Sequence, residues 1–226
     1  LLKETADRFA AGGIATARLD AEILLAHILG CERMALMTLS TALTSEQARC
    51  FNALAIRHLN GEPIAYITGT QAFWNHDFLV TEDTLIPRQD TETLVEVALK
   101  HFPAEGRLLD LGTGTGCVLL SILDERSQAT GLGLDISAKA LAVAARNAER
   151  LGFADRTFFV ESDWFAALVG QQERFSAIVS NPPYIASSDI EVLMAPVRNH
   201  EPRLALDGGP DGLVPYRLIA ETAPAF

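Results

Sequence analysis

The chain lacks the usual materials for covalent or metal cross-linking. Its three cysteines, Cys31, Cys50 and Cys117, form no CxxC pair and are odd in number. That argues against a multi-bridge disulfide framework and suits the reduced thiols of a cytoplasmic protein. The five histidines are scattered, with no HxxxH pair and no His/Cys cluster, so no metal site is expected. No apolar run approaches the ~18 residues needed to span a bilayer, and no basic-then-apolar leader opens the sequence. Basic residues are also scarce: 18 Lys and Arg stand against 29 Asp and Glu, for a net charge of -11. An acidic field of that size repels phosphate backbones and argues against a non-specific nucleic-acid binder. What remains is an ordinary globular composition, 49% hydrophobic and 21% charged, over 226 residues.

The first sixty residues have helical periodicity. "LLKETADRFAAGG" stops at Gly12 and Gly13, "ARLDAEILLAHILG" ends at Gly30, and "TSEQARCFNALAIRHLNG" opens with Thr44 and Gln47 in capping-box spacing. Short amphipathic helices need partners for their apolar stripes, so a small bundle is expected over residues 1–62. From residue 63 to residue 85 the β-branched and aromatic content rises, and a β-hairpin linking two domains is expected. Residues 86–226 alternate strands and helices: "RLLDLG", "TGLGLDIS", "TFFVES" and "FSAIVSNPP" read as strands with helical segments between them. That order predicts a parallel α/β sheet covered by helices. Four strands are fewer than an open doubly wound sheet usually has, so further C-terminal strands are expected to be missing. The absence of an initial Met likewise suggests a missing native start.

Chemistry concentrates at the carboxyl ends of these strands. "DLGTGTG" places Gly112, Thr113, Gly114, Thr115 and Gly116 between a strand and a helix, where backbone N–H groups can face a ligand. Its GxGxG spacing departs from the GxGxxG of dinucleotide folds. Asp135 ends the next strand and could accept both hydroxyls of a ribose. Asp110 could receive a ligand ammonium or be a solvated strand-end carboxylate. Asp163 and Trp164 follow the third strand; an acceptor beside an aromatic suits adenine, while Trp164 could equally be core. The fourth strand runs into "NPPY". There Asn181 and Pro182 offer two carbonyl acceptors, Pro182 and Pro183 stiffen the turn, and Tyr184 offers a ring. Together they suit a planar NH₂ group.

In this order "DLGTGTG", "GLDIS", "SDWF" and "SNPPY" resemble the class I S-adenosylmethionine-dependent methyltransferases, a Rossmann-like α/β fold, that act on planar amino nitrogens. With "LIPRQDTE" before the first strand and "EPRLALDGGPDGL" after NPPY, the whole chain resembles the HemK/PrmC protein-glutamine methyltransferases. The family often has proline where Gln89 stands. A cytoplasmic monomer is expected. The resemblance implies an N-terminal helical domain, which would bind a partner or serve as a structural cap. It implies methyl transfer from S-adenosyl-L-methionine to the GGQ glutamine of bacterial peptide chain release factors, with no nucleic acid or membrane as partner. Residues 112–116, Asp135, Asp163, Trp164 and Asn181 would bind the cofactor. Asn181, Pro182, Pro183 and Tyr184 would hold the glutamine, with Asn181, Pro182 and Tyr184 catalytic. The alternative is a nucleic-acid amino-methyltransferase, acting on DNA adenine or cytosine or on RNA guanine, because NPPY is shared with those enzymes.

Overall fold

The computed structural model describes residues 1–38, 42–172 and 174–226. The chain divides into two compact units, Leu1–Gly69 and Thr70–Phe226.

The first unit is helical: α1 (Leu2–Ala11), α2 (Ala17–Leu29), α3 (Ser45–Leu59) and α4 (Ile64–Thr68). Helix α2 ends at Gly30 in the left-handed conformation, and α3 opens with the expected capping box between Thr44 and Gln47. Phe9, Leu24, Phe51 and Ala55 have no exposed surface and form the centre of the unit. One polar cluster is built into it. Asp20 Oδ2 accepts the Thr16 hydroxyl at 2.7 Å and faces His58 Nε2 at 3.0 Å. The other ring nitrogen, Nδ1, faces the Glu62 carbonyl oxygen at 2.9 Å. With an acceptor on each side, the ring is best satisfied when both nitrogens carry protons.

The second unit opens with the hairpin, β1 (Thr70–Phe73) and β2 (His76–Leu79), paired antiparallel around Trp74 and Asn75. The sequence suggested a hairpin from residue 63, yet "IAYIT" forms α4. Pro63 precedes that helix and Gly69 closes it at φ 77°, so terminal residues outweighed β-branched content. The hairpin is no free linker: Phe73 and Phe78 bury their rings in the core of the second unit.

Helix α5 (Glu92–His101) precedes β3 (Arg107–Leu111), α6 (Cys117–Asp124), β4 (Thr130–Asp135), α7 (Ala138–Leu151), β5 (Thr157–Glu161) and β6 (Ala177–Ser180). Two further helices follow, α8 (Ala195–His200) and α9 (Val214–Thr222). Among the described residues the main sheet is parallel, in the order β5-β4-β3-β6. Its register pairs Leu111 with Leu134 and Ser180, and Asp135 with Glu161, so all four carboxyl ends share one edge. The chain leaves β3 toward β4 on one side and returns to β6 on the other. A crevice forms at such a reversal, and ligands bind there in open α/β sheets.

Candidate active site

The glycine loop is pulled tightly against β4. Gly112 N–H and Thr113 N–H both donate to the Leu134 carbonyl, at 2.8 and 3.0 Å. Gly112, Gly114 and Gly116 all have positive φ, at 69°, 57° and 79°. Gly112, Thr113, Gly114 and Thr115 line a cavity of about 440 Å³, within the range of small-molecule sites. Gly116 is not on its wall. A Cβ there would meet Leu120 Cδ1 at 3.3 Å and Ala144 Cβ at 3.4 Å. Its lack of a side chain therefore serves the approach of α6 to α7.

Asp135 and Asp110, at the ends of β4 and β3, are among the carboxylates that line the cavity. Asp135 Oδ2 accepts Gly114 N–H and Oδ1 accepts Ser137 N–H, both at 2.9 Å. Burial pushes its carboxyl above the ordinary range, and the Ser137 and Gly114 N–H groups oppose the shift. Asp110 is only 2% exposed, so it is no solvated strand end. Burial raises it to about 7; the Thr113 hydroxyl, donating at 2.7 Å, works against this and the charge of Asp135 works with it. A buried acid beside a second acid suits a cation. Cys117 also lines the cavity, but burial pushes its thiol up to about 12, which favours the neutral thiol over the thiolate.

Asp163 and Trp164 lie on the same wall. Trp164 has φ 50°, a strained conformation for a residue with a side chain. The Ser162 hydroxyl holds it, donating to the Trp164 carbonyl at 2.7 Å while accepting Ala167 N–H at 3.0 Å. The ring also packs against the core beside Leu134 and Phe165, so the wall and core roles coincide.

The tetrapeptide divides. Asn181 and Pro183 line the cavity; Pro182 and Tyr184 do not. Pro182 is buried, whereas Tyr184 is 58% exposed. Asn181 Nδ2 lies 3.5 Å from the Thr91 hydroxyl oxygen, a long hydrogen bond that leaves Oδ1 as the acceptor. Much of the remaining wall comes from residues 83–91 and 202–215. From the sequence, Arg88 could either line the substrate mouth or pair with an acid; it does both, on the cavity wall and in an ion pair with Glu201. No other residue of the two stretches was given a site role, although "LIPRQDTE" and "EPRLALDGGPDGL" carry the family resemblance. Among the described residues, no group of His, Cys, Asp and Glu could hold a metal, and no helix is long and apolar enough to cross a membrane.

The solved catalytic domain of hMettl16, in complex with a MAT2A 3'UTR hairpin, is similar over 67% of this chain and 58% of that one, with a TM-score of 0.50 at 16% identity. This likeness shows the fold; with the match of residues 88–209 to a methyltransferase domain family, the sheet and its crevice define a class I methyltransferase fold. The family described as "PrmC N-terminal domain" matches residues 1–69, and "Methyltransferase small domain" matches residues 88–209. A release factor glutamine methyltransferase of Rhodospirillum rubrum is 45% identical over 228 residues, covering 100% of this chain and 69% of that protein. One of Cereibacter sphaeroides is 46% identical over 225 residues, covering 99% and 79%. The chain belongs to the release factor glutamine methyltransferase family.

Proposed function

We propose that this protein transfers a methyl group from S-adenosyl-L-methionine to the side-chain amide nitrogen of the GGQ glutamine in bacterial peptide chain release factors. The observation that carries this reading is the identity of about 45% with release factor glutamine methyltransferases across the full chain, together with Asn181 at the cavity wall. The enzyme acts as a cytoplasmic monomer on a protein substrate. Its net charge of -11 supports a protein partner over a nucleic-acid one.

The cavity suits the cofactor chemically. Asp135 would accept the ribose hydroxyls with the lone pairs its two backbone donors leave. Asp110 would face positive charge, and Trp164 with Asp163 would flank the adenine. When bound, S-adenosylmethionine supplies an electrophilic methyl carbon on a positively charged sulfur. The amide nitrogen is a weak nucleophile because its lone pair is delocalised into the carbonyl, so placement carries the reaction. Asn181 Oδ1 and the Pro182 carbonyl would each accept one amide N–H. Those bonds strengthen as the nitrogen becomes positive, stabilising the transition state over the ground state. Pro182 and Pro183 would keep the acceptors from relaxing, and Tyr184 would cover the amide plane from the open side. Water takes the departing proton.

The test is mass spectrometry of intact release factor after incubation with cofactor; a gain of one CH₂ on the GGQ glutamine is expected. Asn181→Ala should lower kcat by about 10²–10³-fold with cofactor affinity changed far less. An unmodified glutamine, alongside labelling of DNA or RNA by tritiated cofactor, would overturn the reading.

A further inference from the structure

The stretch after NPPY doubles back onto it. Ile185 N–H donates to the Leu206 carbonyl at 3.0 Å, Gly208 N–H to the Ile185 carbonyl at 2.8 Å, and Ser187 N–H to the Gly209 carbonyl at 2.9 Å. Ile185 and Asp207 form a parallel bridge. Asp207 Oδ1 ties the two stretches further by accepting the Ser187 hydroxyl at 2.6 Å, and it accepts Gly209 N–H within its own turn at 3.0 Å. At the centre of this pairing the backbones nearly touch. A Cβ on Gly208 would lie 2.8 Å from the Pro183 carbonyl oxygen and 2.8 Å from Tyr184 Cα. A Cβ on Gly212 would collide with the Tyr184 carbonyl oxygen. These obstacles are backbone atoms of the tetrapeptide, which cannot swing aside as a side chain can; the Gly212 carbonyl oxygen, also 2.8 Å from a Gly208 Cβ, is a further backbone obstacle on the stretch's own side.

The same stretch is anchored at its other end. The Glu201 side chain is 1% exposed and forms an ion pair with Arg88. Its Oε2 also accepts Ile86 N–H at 3.3 Å. Residues 86–91 carry Thr91, the neighbour of Asn181 Nδ2. Glu201 thus binds together the two segments that flank the tetrapeptide.

We propose that residues 201–212 form a template that sets the position of the Pro183 and Tyr184 backbone, with Gly208 as its point of contact and Glu201 as its anchor. Both are positioning residues that act through the tetrapeptide, and the proposal rests on the glutamine-methylation reading above. A methyl group at Gly208 displaces the Pro183 carbonyl by a few tenths of an ångström or more. Reaction rates are sensitive to displacements on that scale while binding is much less so.

The experiment compares Gly208→Ala and Glu201→Gln with the wild type, using release factor, S-adenosylmethionine and calorimetry with S-adenosylhomocysteine. Gly208→Ala should lose about 10–100-fold in kcat, with S-adenosylhomocysteine affinity within twofold and KM for release factor little changed. Glu201→Gln keeps the shape and the bond to Ile86 but weakens the anchor; it should lose several-fold in kcat with the same split. It carries the test if Gly208→Ala does not fold. A folded variant with wild-type kcat overturns the template, as does a parallel loss of cofactor affinity and kcat. A crystal structure of either variant gives a readout independent of substrate: an unmoved tetrapeptide also overturns it. If wild-type protein leaves the glutamine unmodified, the functional reading fails, while a displaced tetrapeptide in the variant still supports the template.

Discussion

Asp110 illustrates what one buried carboxyl does to both stability and binding. Its pKa of about 7 in the fold, against the usual 3.8, means that folding takes up a proton between those values. Its contribution is therefore most favourable below pH 4, is lost as pH rises toward 7, and stays constant above. Asp110→Asn keeps an acceptor for the Thr113 hydroxyl and removes the charge. At pH 8 the variant should be more stable than wild type by up to about 4 kcal/mol, at 1.36 kcal/mol per pKa unit, and the gap should close by pH 4. Urea unfolding midpoints across that range measure this. The same substitution should weaken cofactor binding, because a buried carboxylate at the cavity wall is the natural counter-charge for a cationic ligand. Aspartate at a strand end is visible in sequence; its burial is not, since that depends on Thr113 and α6 closing over it.

Asn147 carries the corresponding lesson for elements. It lies on α7 with no exposed surface. Its Oδ1 accepts Leu79 N–H at 2.7 Å, and its Nδ2 donates to the carbonyls of Leu79 and Thr115, at 3.1 and 2.9 Å. One side chain thus joins the hairpin, α7 and the glycine loop. Asn147→Ala leaves three backbone groups without partners and should cost about 3 kcal/mol, each orphaned group being worth about 1–3 kcal/mol at most. The expected signature is a lower unfolding midpoint with faster amide exchange at Leu79. Elements with local signals were readable beforehand: the strand, glycine loop and helix around residues 107–124, the capping box at Thr44, and the Ser137 N-cap, whose hydroxyl accepts Ala140 N–H at 3.2 Å. The α4 helix was not, because β-branched content pointed the other way. Neither were Asn147 and Glu201, whose partners lie at least 32 and 113 residues away.

For the whole molecule, the two units respond to pH in the same direction. At His58 burial opposes the charge, but the bonds to Asp20 and to the Glu62 carbonyl outweigh it, and the pKa is raised. That stability is fully present below about pH 6.5, the unfolded value, and is lost as pH climbs through the raised folded value. Asp110 acts alike in the second unit. Acidifying from pH 8 to pH 6 should therefore raise the melting temperature, and it also relieves the repulsion of a -11 chain. At about 2–4 °C per kcal/mol for this size, calorimetry resolves the trend. His58→Gln should flatten the part belonging to the helical unit; an unchanged profile would remove His58 from the explanation.

The cavity wall is assembled from stretches that begin at Asp83 and end at Pro215. On a ribosome the amino-terminal stretches emerge first and must wait for the last. At about 5–20 residues per second, the interval between them is on the order of ten seconds. Once made, Asp110 and the glycine loop exist for most of it without the wall from residues 202–215. A growing chain therefore cannot hold a ligand in the finished pocket until residues 202–215 have been made, and ligand capture becomes a late event in the life of each new molecule.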